Sequence, residues 1–160
     1  MKSASSLVFY EWLQRTPITD VLQNSRVLLP AIETLHLIGL ALLVGTVLAV
    51  DLNLLGIAML RQPASRIAQE LRWLTWAGLT TLFITGPLLL AADAEKISMN
   101  PVFPVKMAVL MLAIVFHVTI YRKATRGAYA PRSTQAKVAG GFSLLLWVGT
   151  GFAAKLMEVF

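Results

Sequence analysis

Four long intervals of the chain contain no Asp, Glu, Lys or Arg: Thr34 to Val50, Trp73 to Ala92, Met107 to Tyr121 and Val138 to Ala154. Each, with its flanking turn, approaches the roughly 20 residues that an α-helix needs to cross about 30 Å of hydrocarbon at 1.5 Å per residue. A water-soluble bundle would alternate apolar stripes with charged faces, and these windows hold no charge at all. Composition agrees, because 57% of the residues are hydrophobic and 14% charged, against roughly a quarter charged in ordinary globular domains. The pattern predicts an all-α fold: a single integral membrane domain over residues 1–160, built as an up-down bundle of four transmembrane helices. Their expected spans are about 27–51, 72–92, 103–121 and 137–157.

Basic residues give the bundle a direction. The connection between the first and second intervals carries Arg61, Arg66 and Arg72 with one acid, Glu70; that between the third and fourth carries Arg122, Lys123, Arg126, Arg132 and Lys137 with none. These two connections hold eight of the fourteen basic residues and one of the eight acidic ones. The positive-inside bias makes them cytoplasmic and puts both termini and the loop "ADAEKISMNP" outside. The excess of positive charge is thus a topology signal. A nucleic-acid footprint would need a basic face with interleaved polar and aromatic contacts on a soluble fold.

Residues 1–26 do not read as a cleaved signal peptide, because Glu11, Gln14 and Arg15 interrupt the only short apolar run. Phe9, Tyr10 and Trp12 alternate with Glu11, Arg15 and Asp20, and Pro17 suits the first position of a short helix. The segment is expected to be amphipathic and to lie in the outer membrane interface. With no cysteine, disulfides, thiolate metal sites, covalent haem attachment and cysteine nucleophiles are excluded. No Gly-rich phosphate loop, nucleophile elbow or paired-histidine zinc motif replaces them.

What the sequence does place inside the membrane is a small set of polar groups. Glu33 and His36 are three apart near the start of the first helix and share a face; Lys106 and His117 are eleven apart on the third, within about 20° of one face. Ionisable groups in hydrocarbon normally face the bundle interior with a partner. Lys106, near a helix end, can equally snorkel to the interface, and the histidines can serve structural hydrogen bonds. Two neutral imidazoles on different helices also suit the axial positions of a b-type haem. Measured from expected helix starts at Val27 and Phe103, however, His36 and His117 differ in depth by about 7 to 8 Å. On the same count Glu33 and Lys106 agree to about 5 Å, which predicts an ion pair between them above His36. Met107 and Met111, one turn apart, could offer thioethers to Cu(I), but methionine more often fills gaps between helices. Gly78, Gly86, Gly140, Gly141, Gly149 and Gly151, with Thr81, Thr85, Ser143 and Thr150, are expected to let helices approach closely. Pro87 is expected to loosen the second helix near the polar group.

The stretches "ETLHLIGLALLVG…DLNLLG", "W.WAGL…TG" and "NPVFPVK" with His117 eleven residues after the lysine resemble a family of small, uncharacterised bacterial four-helix membrane proteins over nearly the whole chain. The histidine early in the first helix and the Lys-x10-His of the third are also similar to HemJ-type protoporphyrinogen oxidases and copper-resistance D-type membrane proteins. That second resemblance reaches His36, Lys106 and His117 only, and implies haem b at those residues. The bacterial resemblance implies the inner membrane. Three functional classes fit the sequence: a haem-b membrane protein exchanging single electrons with a quinone or redox protein, a cofactor-free accessory subunit, and a transporter of copper or a small solute. The first makes Glu33, His36, Lys106 and His117 the expected cofactor-binding residues, with His36 and His117 as candidate ligands of the haem iron.

Overall fold

The computed structural model describes residues 16–58, 61–127 and 133–159. Among them the chain forms seven helices and no strand: α1 (Pro17–Asn24), α2 (Leu28–Leu55), α3 (Ala64–Glu70), α4 (Arg72–Ala92), α5 (Ala94–Met99), α6 (Phe103–Thr125) and α7 (Thr134–Val159). Four of these, α2, α4, α6 and α7, are long and apolar enough to cross a membrane, so the protein is an integral membrane protein with an all-α, four-helix transmembrane architecture. Trp73, Trp76, Phe83, Val105, Val115, Leu145, Val148 and Phe152 are among the large apolar side chains left exposed around it. Exposed apolar surface on every spanning helix suits lipid and would be an aggregation hazard in water.

Helix ends depart from the expected boundaries for local reasons. Charge at Asp51 suggested a stop near residue 51, yet α2 continues one more turn because α7 covers that carboxyl and Asp51 is 1% exposed. The actual stop is Gly56, whose φ of 77° is the left-handed conformation that glycine adopts at least cost. Gly56 N–H donates to Asn53 O at 3.0 Å and Ile57 N–H to Leu52 O at 2.9 Å, which satisfies two carbonyls of the last turn in a Schellman motif. At the end of α6, Arg122 and Lys123 extend the helix beyond residue 121, where cations oppose the negative end of the helix dipole. Ser133 Oγ accepts from Ala136 N–H at 3.2 Å, so α7 starts at a serine cap three residues before the expected position. Two short helices, α3 and α5, were not expected at all; α5 occupies the "ADAEKISMNP" segment read as a loop.

The spanning helices run antiparallel in sequence. α2 packs closely on α4 and on α7, and α7 packs on α6, whereas α4 and α6 make almost no contact. One side of the bundle, between α4 and α6, is therefore left open. Close approach of α2 and α4 rests on two facing glycines: a Cβ on Gly78 would lie 2.9 Å from Gly39 O and 2.9 Å from Leu43 N, and one on Gly39 would lie 2.9 Å from Thr81 Cγ2. Gly140 serves α7 in the same way, since its Cβ would meet Asp51 O at 2.8 Å. Where lipid supplies no hydrophobic drive between helices, such backbone proximity is what holds them.

Two apolar clusters fill the interior. Leu43, Val47, Ala113, Leu146 and Trp147 form one at mid-bundle. Val50, Leu54, Ile67, Ala68, Ile120, Ala124 and Ala136 form the other, which brings α3 under the ends of α2, α6 and α7. Tyr121 O–H donates to Ala68 O and ties α6 to α3. At the opposite end Gln23 Nε2 donates to Ala92 O at 2.8 Å, fixing α1 on α4, and Pro17 opens α1 as expected. Phe9, Tyr10, Trp12 and the rest of the first fifteen residues lie outside the described residues, as does Arg132.

Candidate functional site

Helix register decides which polar groups can meet. Gly140 lies against Asp51 and Leu54, and Gly149 against Val109. Because α7 runs antiparallel to both α2 and α6, these two contacts put His117 level with Asp51 and put His36 level with the start of α6. The consequence is a correction: α2 begins about two turns further out than α6, so helix starts are no common reference. His36 and His117 are separated by about 20 Å along the bundle, at 1.5 Å per residue, and the structure does not bring them to one iron. By the same register Glu33 stands about 9 Å further out than Lys106. Glu33 is exposed and makes no ion pair with Lys106; the ion pairs shown among described residues are Arg66 with Glu70 and Lys96 with Asp93.

What the structure does bring together is His36 and Thr85. Thr85, on α4, is buried with 1% exposure, and its Oγ1 is 2.7 Å from His36 Nδ1. The Thr85 hydroxyl proton is already committed to Thr81 O, at 2.7 Å. An oxygen that donates its only hydrogen elsewhere can only accept from the ring, so Nδ1 carries the imidazole hydrogen and Nε2 the lone pair. Gly86 lies beside the ring, with His36 Cε1 3.9 Å from where a Cβ would stand, an ordinary contact distance. Pro87 follows at once, inside α4; lacking an N–H, it leaves Phe83 O without its ladder partner. Lys106 is half-buried on α6, a helix without close packing on α2 or α4, and the register puts it about 5 Å deeper than His36. The site therefore lies at the contact of α2 with α4, with the imidazole oriented by a buried threonine hydroxyl. Sequence reasoning assigned Thr85 to helix packing alone. Its acceptor is the backbone carbonyl of Thr81, which a residue of any type would supply, so the sequence held no signal for it.

A second polar group lies in the other half of the bundle. Asp51 Oδ2, His117 Nε2, Ser143 Oγ and Trp147 Nε1 are all buried without a hydrogen-bond partner among the described residues. Asp51 faces Ser143 across the α2–α7 contact, although neither Oδ2 nor Ser143 Oγ completes a hydrogen bond. His117 packs edge-on against Trp147, ring centroids 6.2 Å apart. Left dry, each such atom costs about 1 to 3 kcal/mol, which makes the cluster expensive unless something fills it. Asp51 was missed in the sequence because a single acid seemed to end the helix.

Met107 and Met111 are exposed on the outside of α6 and converge with neither group. Among the described residues no three His, Asp or Glu side chains gather as a metal-ion site. No curated protein and no solved structure matches the chain. Residues 9–158 match a family of unknown function, DUF6644, and the chain belongs to that family.

Proposed function

We propose that this protein binds a b-type haem at His36 and exchanges single electrons within the membrane, with a quinone or a redox protein as the partner. The observation that carries the reading is the His36–Thr85–Thr81 relay. Metal-binding histidines donate their second ring N–H to a fixed acceptor, which orients the ring and holds the lone pair outward; Thr85 does this for Nδ1 at 2.7 Å. His36 Nε2 would supply the axial bond, and Lys106 would receive a propionate carboxylate. The open side between α4 and α6 offers a planar group entry from the lipid phase. A bound haem supplies one-electron chemistry, and the buried helix surroundings set its potential. His117 has no part in this site.

The basic residues at the α3 end support a cytoplasmic placement of that end, with both termini on the outer side of a bacterial inner membrane.

Titration of the detergent-purified protein with haemin tests the reading. Thr85→Val should weaken binding by about 10- to 100-fold, the usual effect of losing an outer partner of a ligating histidine, while Thr85→Ser should retain it. Equal affinities for all three proteins would remove the observation on which the proposal stands.

A further inference from the structure

Asp51, Ser143, Trp147 and His117 are 1%, 1%, 8% and 6% exposed and come from three helices. Ser143 and Trp147 are one turn apart on α7, and the tryptophan side chain leans back toward the preceding turn, over Ser143. Ser143 faces the Asp51 carboxyl, Trp147 meets the His117 ring, and His117 is level with Asp51 through the two glycine contacts described above. The four unpartnered atoms thus share one layer of the bundle.

Their chemistry selects what can occupy that layer. Trp147 Nε1 can only donate, so a bound cation would sit against an N–H hydrogen. Water fits all four: it accepts from Trp147 Nε1–H and from the protonated Asp51 carboxyl, and donates to Ser143 Oγ and His117 Nε2. We propose that Asp51, Ser143, Trp147 and His117 enclose a site for ordered water inside the membrane-spanning bundle, and that the Asp51 carboxyl and the His117 imidazole exchange a proton through it. The carboxyl hydrogen passes to water as a hydrogen of that water passes to Nε2. A neutral acid and a neutral imidazole become a carboxylate and an imidazolium, and the bundle gains no net charge.

Neighbouring charges leave this pair in control of the layer. On α6, Tyr121 lies beside His117, ring centroids 5.6 Å apart, and its hydroxyl donates to Ala68 O. α3 turns apolar Ile67 and Ala68 inward while its Arg66–Glu70 pair is exposed. Lys137, toward the start of α7, is exposed as well. Intramembrane acid–histidine chains of this kind are the material of proton relays. The site stands apart from His36, so it holds whether or not haem binds there.

The protein has two histidines, so histidine-labelled protein in bilayers gives two imidazole signals, assigned by His117→Gln. Water-edited solid-state NMR should show magnetisation passing from water to the buried His117 ring. Asp51→Asn should move the His117 nitrogen signals toward the neutral form and leave those of His36 in place. Ser143→Val, which removes a hydroxyl and fills its volume, should abolish the water transfer. A dry His117 ring in the native sequence overturns the proposal, as does a His117 signal unmoved by Asp51→Asn. Where Asp51→Asn fails to assemble, undiminished water transfer in Ser143→Val overturns it instead.

Discussion

Replacing Gly78 by alanine presses on the contact that holds α2 to α4. The added Cβ would stand 2.9 Å from both Gly39 O and Leu43 N and 3.2 Å from Leu43 Cβ. Ordinary van der Waals contact starts near 3.4 Å, so the helices must part by about half an ångström, and the obstructing atoms are backbone that cannot rotate away. Overpacking of this kind costs about 1 to 3 kcal/mol. Alanine also favours a helix over glycine by about 1 kcal/mol, which would blur the result if Gly78→Ala were measured alone. Gly45→Ala removes the ambiguity: it gains the same propensity, and its Cβ meets nothing within 4 Å. The difference between the two variants therefore isolates the steric term, about 1 to 3 kcal/mol in favour of Gly45→Ala. The same displacement would stretch the His36–Thr85 hydrogen bond from 2.7 Å toward the roughly 3.2 Å limit of a good one. Reversible unfolding in detergent measures the stability gap. Equal stabilities for Gly78→Ala and Gly45→Ala would refute the close α2–α4 packing and the register built on it.

Asn100 donates to Met157 O at 2.9 Å and accepts from Val102 N–H at 2.9 Å, so Asn100→Ala should destabilise the protein by about 1 to 3 kcal/mol in the same assay. Glu33→Gln should change stability by less than about 0.5 kcal/mol, since the carboxylate is exposed and surface substitutions of this kind are near neutral; a loss comparable to that of Asn100→Ala would restore a buried partner for it. Reporter fusions after Arg66 and Arg126 should report the cytoplasm and one after Lys96 the outside; the reverse pattern would place eight basic residues on the translocated side, against the charge bias.

The number and hydrophobic character of the spanning helices were legible because absence of charge over a membrane's thickness has few other structural meanings. Relative depth was not legible. It is set by Gly39 against Gly78, Gly140 against Asp51 and Gly149 against Val109, contacts between segments that the sequence leaves unpaired. Counting from assumed helix starts therefore underestimated the separation of His36 from His117 and mispaired Glu33 with Lys106. His36 stands out in the sequence by type and position, as an imidazole in a greasy helix. Its partner Thr85 escaped notice because a threonine that packs helices and one that orients a ring look alike until the acceptor Thr81 O is in view. Asp51 misled most directly, since an acid at the end of an apolar run reads as a boundary, whereas here α7 closes over it. The short helices α3 and α5 carry too few residues for periodicity to show.

The most direct test of the account is the visible spectrum of the protein purified after growth with ample haem supply, recorded side by side for the native sequence, His36→Gly and His117→Gly. The native protein and His117→Gly should show a Soret band that shifts on reduction, and His36→Gly should lack it until imidazole is added. A colourless native protein, or a band that survives in His36→Gly and disappears in His117→Gly, would contradict the assignment of His36 as the ligand.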